Sequence, residues 1–168
     1  MRAYLDIETT FGGSISVIGI YRPDWGTIQL VGSGVRDVPL YEALEGIETI
    51  VTFNGTCFDL PVIKRKLGAD LRQEFGHSDL MYVCRKRDLR GGLKKIEAKL
   101  GIGRETAGIT GFDAPRLWNR FETYGDEKAL DTLLHYNRED VVNLAVLEFQ
   151  LGLIEDATPC ELVRHVFA

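Results

Sequence analysis

Cysteine is scarce in this chain: 168 residues hold three, Cys57, Cys84 and Cys160, with no Cys-x-x-Cys among them. That argues against a disulfide scaffold and a thiolate zinc site, and it sets the expectation of a reducing, cytoplasmic setting. Histidine is equally rare, and His77 and His165 lack partners at ligand spacing, so both read as ordinary surface or packing residues. No apolar run approaches the roughly 18 residues a membrane-crossing helix needs, which excludes a membrane protein of that kind. The N-terminus enters an apolar strand pattern with no basic-then-apolar leader, and there is no internal repeat, low-complexity tract or linker. At 45% hydrophobic and 27% charged, the composition is that of a globular protein. One domain over residues 1–168, large enough to bury a core, is the expectation.

Positive charge is also in deficit overall, with a net charge of -5, which argues against wholesale non-specific adhesion to nucleic acid. The average hides an asymmetry. Residues 64–99 carry eleven Lys or Arg against five acids, hence +6, leaving -11 for the remainder. Arg85, Lys86 and Arg87 lie in this basic stretch and are candidate contacts to a phosphate backbone, although a charge run is more commonly a solvated helix face.

The acidic surplus begins within the first strand. Ala3-Tyr4-Leu5-Asp6-Ile7 reads as β, and residues two apart on a strand share a face, so Asp6 and Glu8 project side by side. An unpaired carboxylate between Leu5 and Ile7 loses hydration with nothing in exchange, unless a cation compensates it. Clustered carboxylates with no Cys or His suit Mg²⁺ or Mn²⁺.

Along the chain, Phe11-Gly12-Gly13-Ser14 suggests a hairpin, with strands at 14–21 and 27–32 completing an antiparallel meander. Strand-helix alternation follows: a short helix at 39–44, an apolar strand at 49–53, a helix at 58–67, a strand at 77–82 and an amphipathic helix at 92–100. Residues 101–115 hold four glycines and no period, and loops that long are usually functional. A helix from about 115 to 124 precedes a longer one, capped by Asp126 and running to about Gln150, with apolar positions at Leu130, Leu133, Leu134, Val141, Leu144 and Leu147. Trp118 and Phe121 sit at helical spacing and read as core. The last sixteen residues have no clear pattern.

Asp59 falls where the 49–53 strand passes through Asn54-Gly55-Thr56-Cys57-Phe58 into a helix, and the helix dipole there favours a carboxylate. By itself it reads as a helix-start residue, Phe58 as core, and Cys57 as a small buried side chain. Tyr136 and Asp140, four apart, share a face of the last helix. Taken together, Leu5-Asp6-Ile7-Glu8-Thr9-Thr10, Phe53-Asn54-Gly55 with Phe58-Asp59-Leu60-Pro61, and Tyr136-Asn137-Arg138-Glu139-Asp140-Val141 resemble the three motifs of the DEDD superfamily of 3′-to-5′ exonucleases, in family order. The likeness is greatest to small stand-alone exonucleases grouped with the proofreading domain of family-B DNA polymerases. The Thr10-Phe11-Gly12 turn is shorter than in that pattern, and these 168 residues hold no polymerase or helicase domain.

The resemblance implies an α/β, ribonuclease-H-like fold: a mixed sheet of about five strands flanked by helices, the first three antiparallel and the next two parallel to the first. It implies 3′-to-5′ hydrolysis of single-stranded DNA or RNA with two divalent ions, Mg²⁺ or Mn²⁺, about 4 Å apart. Asp6 would bridge the ions, Glu8 and Asp140 complete the first site, Asp59 hold the second, and Tyr136 orient the attacking water. Asp79 would have a supporting role. Thr9, Phe11 and Asn54 join the basic triplet as candidate substrate contacts, Phe11 as a stacking platform. His135, five before Asp140, matches the histidine branch of the superfamily and Tyr136 the tyrosine branch; at about 100° per residue, a spacing of four favours Tyr136. An endonuclease on the same fold, or a binding module without chemistry, remain alternatives. No motif separates DNA from RNA, which turns on contacts to the 2′-OH.

Overall fold

In the computed structural model, which describes residues 1–167, the first strand lies inside the sheet and the remaining strands extend it on either side. Strands β1 (Arg2–Thr9), β2 (Ile15–Arg22) and β3 (Gly26–Val31) form an antiparallel meander. Beyond β1, β4 (Thr49–Thr52) and β5 (Gly76–Asp79) add in parallel, and β6 (Val163–Val166) adds in parallel to β3. The order is β5-β4-β1-β2-β3-β6. The expected α/β architecture with a mixed sheet flanked by helices therefore stands, with six strands in place of five. The sixth lies in the patternless C-terminal stretch, where Val-Arg-His-Val is short and its middle residues are exposed.

The helices are α1 (Asp37–Ala43), α2 (Asp59–Leu67), α3 (Leu71–Glu74), α4 (Leu80–Lys86), α5 (Leu93–Leu100), α6 (Ala114–Tyr124) and α7 (Glu127–Gln150). The strand expected over 77–82 ends at Asp79, because the Asp79 carboxylate accepts the Met81 N–H at 3.1 Å and caps α4. Asp126 caps α7 in the same way, accepting from Ala129 at 3.1 Å. Gly125, at φ 66°, ends α6 in the left-handed conformation that glycine adopts without a Cβ clash. Among the described residues, no helix is long and apolar enough to cross a membrane.

The pleat of β1 divides the core. Ala3, Leu5 and Ile7 pack with Ile18, Leu40 and Ile63 under α1 and α2. Tyr4, on the opposite face, packs with Val51, Leu80, Ile96, Val141 and Leu144 under α4, α5 and α7. Asp6 and Glu8 continue the Tyr4 face. Helix α7 covers that face with a stripe of changing character: Leu130, Leu133 and Leu134 join Trp118 over Val17 and Val31, and Val141, Leu144 and Leu147 join the Tyr4 cluster. Between them come buried Tyr136, Asn137 and Asp140. Each fully buried leucine contributes about 1.5–3 kcal/mol, so the apolar ends hold the polar middle against the strand.

Asp6 pairs across the β1–β2 ladder with Gly19, and Asn137 fills the space a side chain there would take. A Cβ on Gly19 would meet Asn137 Oδ1 at 2.2 Å. Gly19→Ala is expected to destabilise the protein by about 1–3 kcal/mol, as overpacking does, read as a lower urea midpoint at unchanged slope. An unchanged midpoint would contradict this packing.

Candidate metal centre

Three chain segments converge where β1 outruns its parallel neighbour. β4 pairs only with Arg2, Ala3 and Tyr4, so the flank of β1 beyond them needs another partner. The first turn of α2 supplies it: Ile7 N–H donates to Asp59 Oδ1 at 3.0 Å. The turn that delivers Asp59 is organised by Asp79, whose carboxylate accepts the N–H groups of Asn54 at 2.8 Å and Thr56 at 3.0 Å. Asn54 there has φ 64°, a left-handed conformation that asparagine tolerates better than most residues. Asp79 thus positions the turn without facing the cavity.

Asp6, Glu8 and Asp140 each present an oxygen within 4.8 Å of the others. With Asp59, Tyr136 and the rim residues Thr9 and Asn54 they line a cavity of about 260 Å³. Like charges at such separations repel by about 3 kcal/mol per pair at an effective dielectric near 20. Burial, reinforced by Glu8, Asp140 and Asp59, holds the Asp6 carboxyl well above the usual range. Burial and then Asp140 do the same to Glu8. Burial raises Asp59 to about 7 although the Ile7 N–H opposes it, and burial raises Asp140 against the pull of Arg104 and Lys94. One Glu8 oxygen, Oε1, is buried with no hydrogen-bond partner. An orphaned carboxylate oxygen among an all-oxygen donor set fits a hard divalent cation.

The neighbouring polar groups partly offset this charge. Lys94 Nζ lies 3.8 Å from Asp140 Oδ1, donates to the Tyr136 hydroxyl, and sits 4.0 Å from its ring centroid. Arg104 donates to Asp140 Oδ1. Asn137 Nδ2 donates to Asp6 Oδ2 at 3.1 Å, while its Oδ1 accepts from Gln29 Nε2 at 2.9 Å. Gln29 also donates to the Leu134 carbonyl at 2.8 Å, which fixes the direction of the whole chain of bonds.

Asp6, Glu8, Thr9, Asn54, Asp59, Tyr136 and Asp140 all line the one cavity. Phe58 lines it too and is 45% exposed, contrary to the expectation of core packing, because Leu60 and Ile63 of the same helix take the core positions. Cys57 is exposed instead of buried. Phe11 is exposed on the hairpin and does not line the cavity, nor do Arg85, Lys86 and Arg87 at the end of α4. Arg87 donates to the Leu151 carbonyl at 2.5 Å and so closes the C-terminus of α7. Trp118 and Phe121 pack together, at a centroid distance of 5.5 Å. His135 points away from the carboxylates, its Nε2 3.2 Å from Glu105 Oε2, whereas Tyr136 faces them.

Lys94, Arg104 and Asn137 went unmarked in the sequence. Asn137, three before Asp140 on the same helix face, carried a periodic signal. Lys94 and Arg104 carried none, since a lysine on an amphipathic helix and an arginine in a glycine-rich loop have no spacing relation to the acids.

A family model described as RNase_H superfamily matches residues 3–151. The chain is 32% identical over 173 residues to the uncharacterized protein YprB of Bacillus subtilis (strain 168), an alignment covering 89% of this chain and 41% of that protein. The chain therefore spans about two fifths of the relative's length. Among solved structures, the family B DNA polymerase of the hyperthermophilic archaeon Pyrobaculum calidifontis superposes with a TM-score of 0.69 and 17% identity, over 90% of this chain and 24% of the polymerase, which is a likeness of fold.

The upward shifts carry a sign. A carboxylate whose folded pKa exceeds its unfolded value adds stability that is fully present below about pH 4 and is lost as pH rises through the folded value. For Asp59 that value is about 7. In chelator, the protein is expected to melt at a lower temperature at about pH 8 than at about pH 5.5, and Mn²⁺ should raise the melting temperature more at the higher pH, where it competes with fewer protons. Scanning fluorimetry reads both; melting at pH 8 that ignores Mn²⁺ and Mg²⁺ would argue against a metal centre.

Proposed function

Because this chain belongs to the RNase H superfamily, by a match over residues 3–151, we propose that its carboxylate cavity hydrolyses single-stranded nucleic acid from the 3′ end with Mg²⁺ or Mn²⁺ as cofactor. The observation carrying this reading is the meeting of Asp6, Glu8 and Asp140 oxygens within 4.8 Å, in one cavity with Asp59 and Tyr136. Asp6 would serve two ions, Glu8 and Asp140 the first, and Asp59 the second, directly or through water. Divalent ions at such a site supply a water of lowered pKa and stabilise charge on the attacking and leaving oxygens.

The chain's own groups do the positioning. Burial, and then the charges of Asp140, Glu8 and Asp6, raise the Tyr136 hydroxyl above its ordinary pKa, so it stays protonated and acts as a hydrogen-bond donor, not a base. Lys94 already occupies an acceptor position on that oxygen, which leaves the hydroxyl hydrogen free to orient the attacking water. The attacking water gives up a proton to solvent and its oxygen bonds to phosphorus as the bond to the 3′-oxygen of the preceding nucleotide breaks, and that oxygen takes a proton from solvent to become the new 3′-hydroxyl.

Thr9 and Asn54 at the rim would meet the terminal nucleotide. Phe58 and the 88% exposed Phe112, which adjoins the cavity residue Gly111, offer ring faces to its bases. Phe11 and the Arg85-Lys86-Arg87 triplet stand further out, where they would meet strand more remote from the cleaved bond. Three free cysteines accord with a reducing cytoplasm.

On 5′-labelled single-stranded DNA and RNA oligonucleotides, Mg²⁺ or Mn²⁺ should yield a ladder shortening from the 3′ end, and chelator none. Tyr136→Phe is expected to lower kcat at least about tenfold with little change in KM, and His135→Ala to leave both near wild type. Cleavage of 3′-blocked substrate at internal positions would move the protein to the endonucleases, and loss of activity in His135→Ala alone would reverse the assignment of Tyr136. Phe112→Ala should raise KM at least about fivefold, the lower end for a lost base stack, with kcat retained; an unaltered KM would remove Phe112 from the binding surface.

A further inference from the structure

Asp140 differs from the other carboxylates of the centre in having a cation locked onto it. Arg104 comes from the segment between α5 and α6, yet its side chain is only 7% exposed. Its Nε and one terminal nitrogen fork onto Glu97 of α5, at 2.6 and 2.8 Å, and the same terminal nitrogen donates to Asp140 Oδ1. Glu97 is buried and accepts Asn143 Nδ2 at 3.1 Å. Asn143 in turn donates to the Gly103 carbonyl at 3.2 Å, one residue before the arginine. The guanidinium is thus held by α5 on one side and α7 on the other. Neutralising Glu97 requires the fork alone, so the contact to Asp140 is an additional function of the side chain.

We propose that Arg104 is a positioning residue of the metal centre, holding Asp140 in the orientation in which its carboxylate meets those of Asp6 and Glu8. The inference rests on the metal-dependent reading of the site. The same side chain ties that orientation to the cavity wall. Glu139, beside Asp140, accepts the Glu105 N–H at 2.6 Å, the Thr106 N–H at 3.0 Å and the Thr106 hydroxyl, so the segment carrying Arg104 is fastened to α7, and further along it Gly111 lines the cavity. The segment that supplies Gly111 to the wall is thus joined to the helix that carries Asp140 through residues 104–106.

Two effects of Arg104 on a bound cation oppose each other. Its charge repels the ion, but Glu97 makes the buried pair neutral and cancels much of that repulsion. Its grip on Asp140 fixes a ligand, and loss of a group that orients a metal ligand typically lowers metal affinity or activity by about 10–100-fold. Orientation is the larger effect.

The test separates charge from geometry. Arg104→Lys keeps the charge but cannot fork onto Glu97 and reach Asp140 together. Glu97→Gln combined with Arg104→Gln keeps the buried pair neutral and avoids leaving an uncompensated Glu97, which could unfold a single variant. Mn²⁺ binding is measured by calorimetry on protein shown folded by circular dichroism, beside nuclease kcat and KM. In both variants the Mn²⁺ Kd should weaken by about 10–100-fold and kcat should fall, with KM for the oligonucleotide unchanged. Unchanged or tighter Mn²⁺ binding with normal kcat in either folded variant would overturn the inference and reduce Arg104 to a structural ion pair. Wild-type protein that takes up no Mn²⁺, like an Asp6→Asn control, would overturn the metal reading and the inference together.

Discussion

The mutual repulsion of carboxylates gathered at the end of β1 is the constraint to which the surrounding structure answers. Three of the four acidic groups are met by partners from other elements. The Asp59 oxygen takes the Ile7 N–H that β4 is too short to reach, Asp6 takes the Asn137 amide, and Asp140 takes Lys94 and Arg104. Among the described residues, Glu8 Oε1 is the one carboxylate oxygen buried with nothing to bind. Compensation is therefore incomplete, and the divalent cation proposed for this cavity would complete it.

That compensation dictates the unusual composition of α7. A helix laid across a sheet ordinarily presents an unbroken apolar stripe, and here the stripe is interrupted at Tyr136, Asn137 and Asp140. The interruption is tolerated because the leucines on either side hold the helix down and because the amide of Asn137 is satisfied on both ends, by Gln29 and by Asp6. Gly19 belongs to the same arrangement, since only a residue without a Cβ lets Asn137 approach β2. Fold stability and site geometry are carried by the same side chains on this face.

The long glycine-rich connection after α5 is organised by charge instead of by apolar burial. Glu139 gathers the N–H groups at 105 and 106, and Arg104 bridges Glu97 and Asp140. A segment with few apolar anchors thereby becomes part of the cavity wall, and Phe112 is left standing in solvent beside it. Asp79 does comparable work on the opposite side, where its carboxylate accepts two backbone N–H groups of the turn before Asp59 and a third, that of Met81, at the start of α4.

What the sequence by itself determined follows from short-range periodicity. The period of two placed Asp6 and Glu8 on one face of β1, the helical period placed Tyr136 with Asp140 and turned His135 away, and the cap at Asp126 with the leucines after it defined α7. The meander was legible from strand alternation and turn residues, whereas the parallel placement of β4 and β5 was implied by the family resemblance. Tertiary structure alone decided which groups answer the charge. Lys94 and Arg104 reach Asp140 from 46 and 36 residues away, a relation no periodicity encodes. It also decided that Phe58 and Cys57 face solvent and that Val163–Val166 becomes an edge strand. At these positions local propensity allowed two outcomes, and the choice was made by what the folded chain brought together: distant carboxylates for Lys94 and Arg104, core places already taken by Leu60 and Ile63 for Phe58, and the free edge of β3 for Val163–Val166.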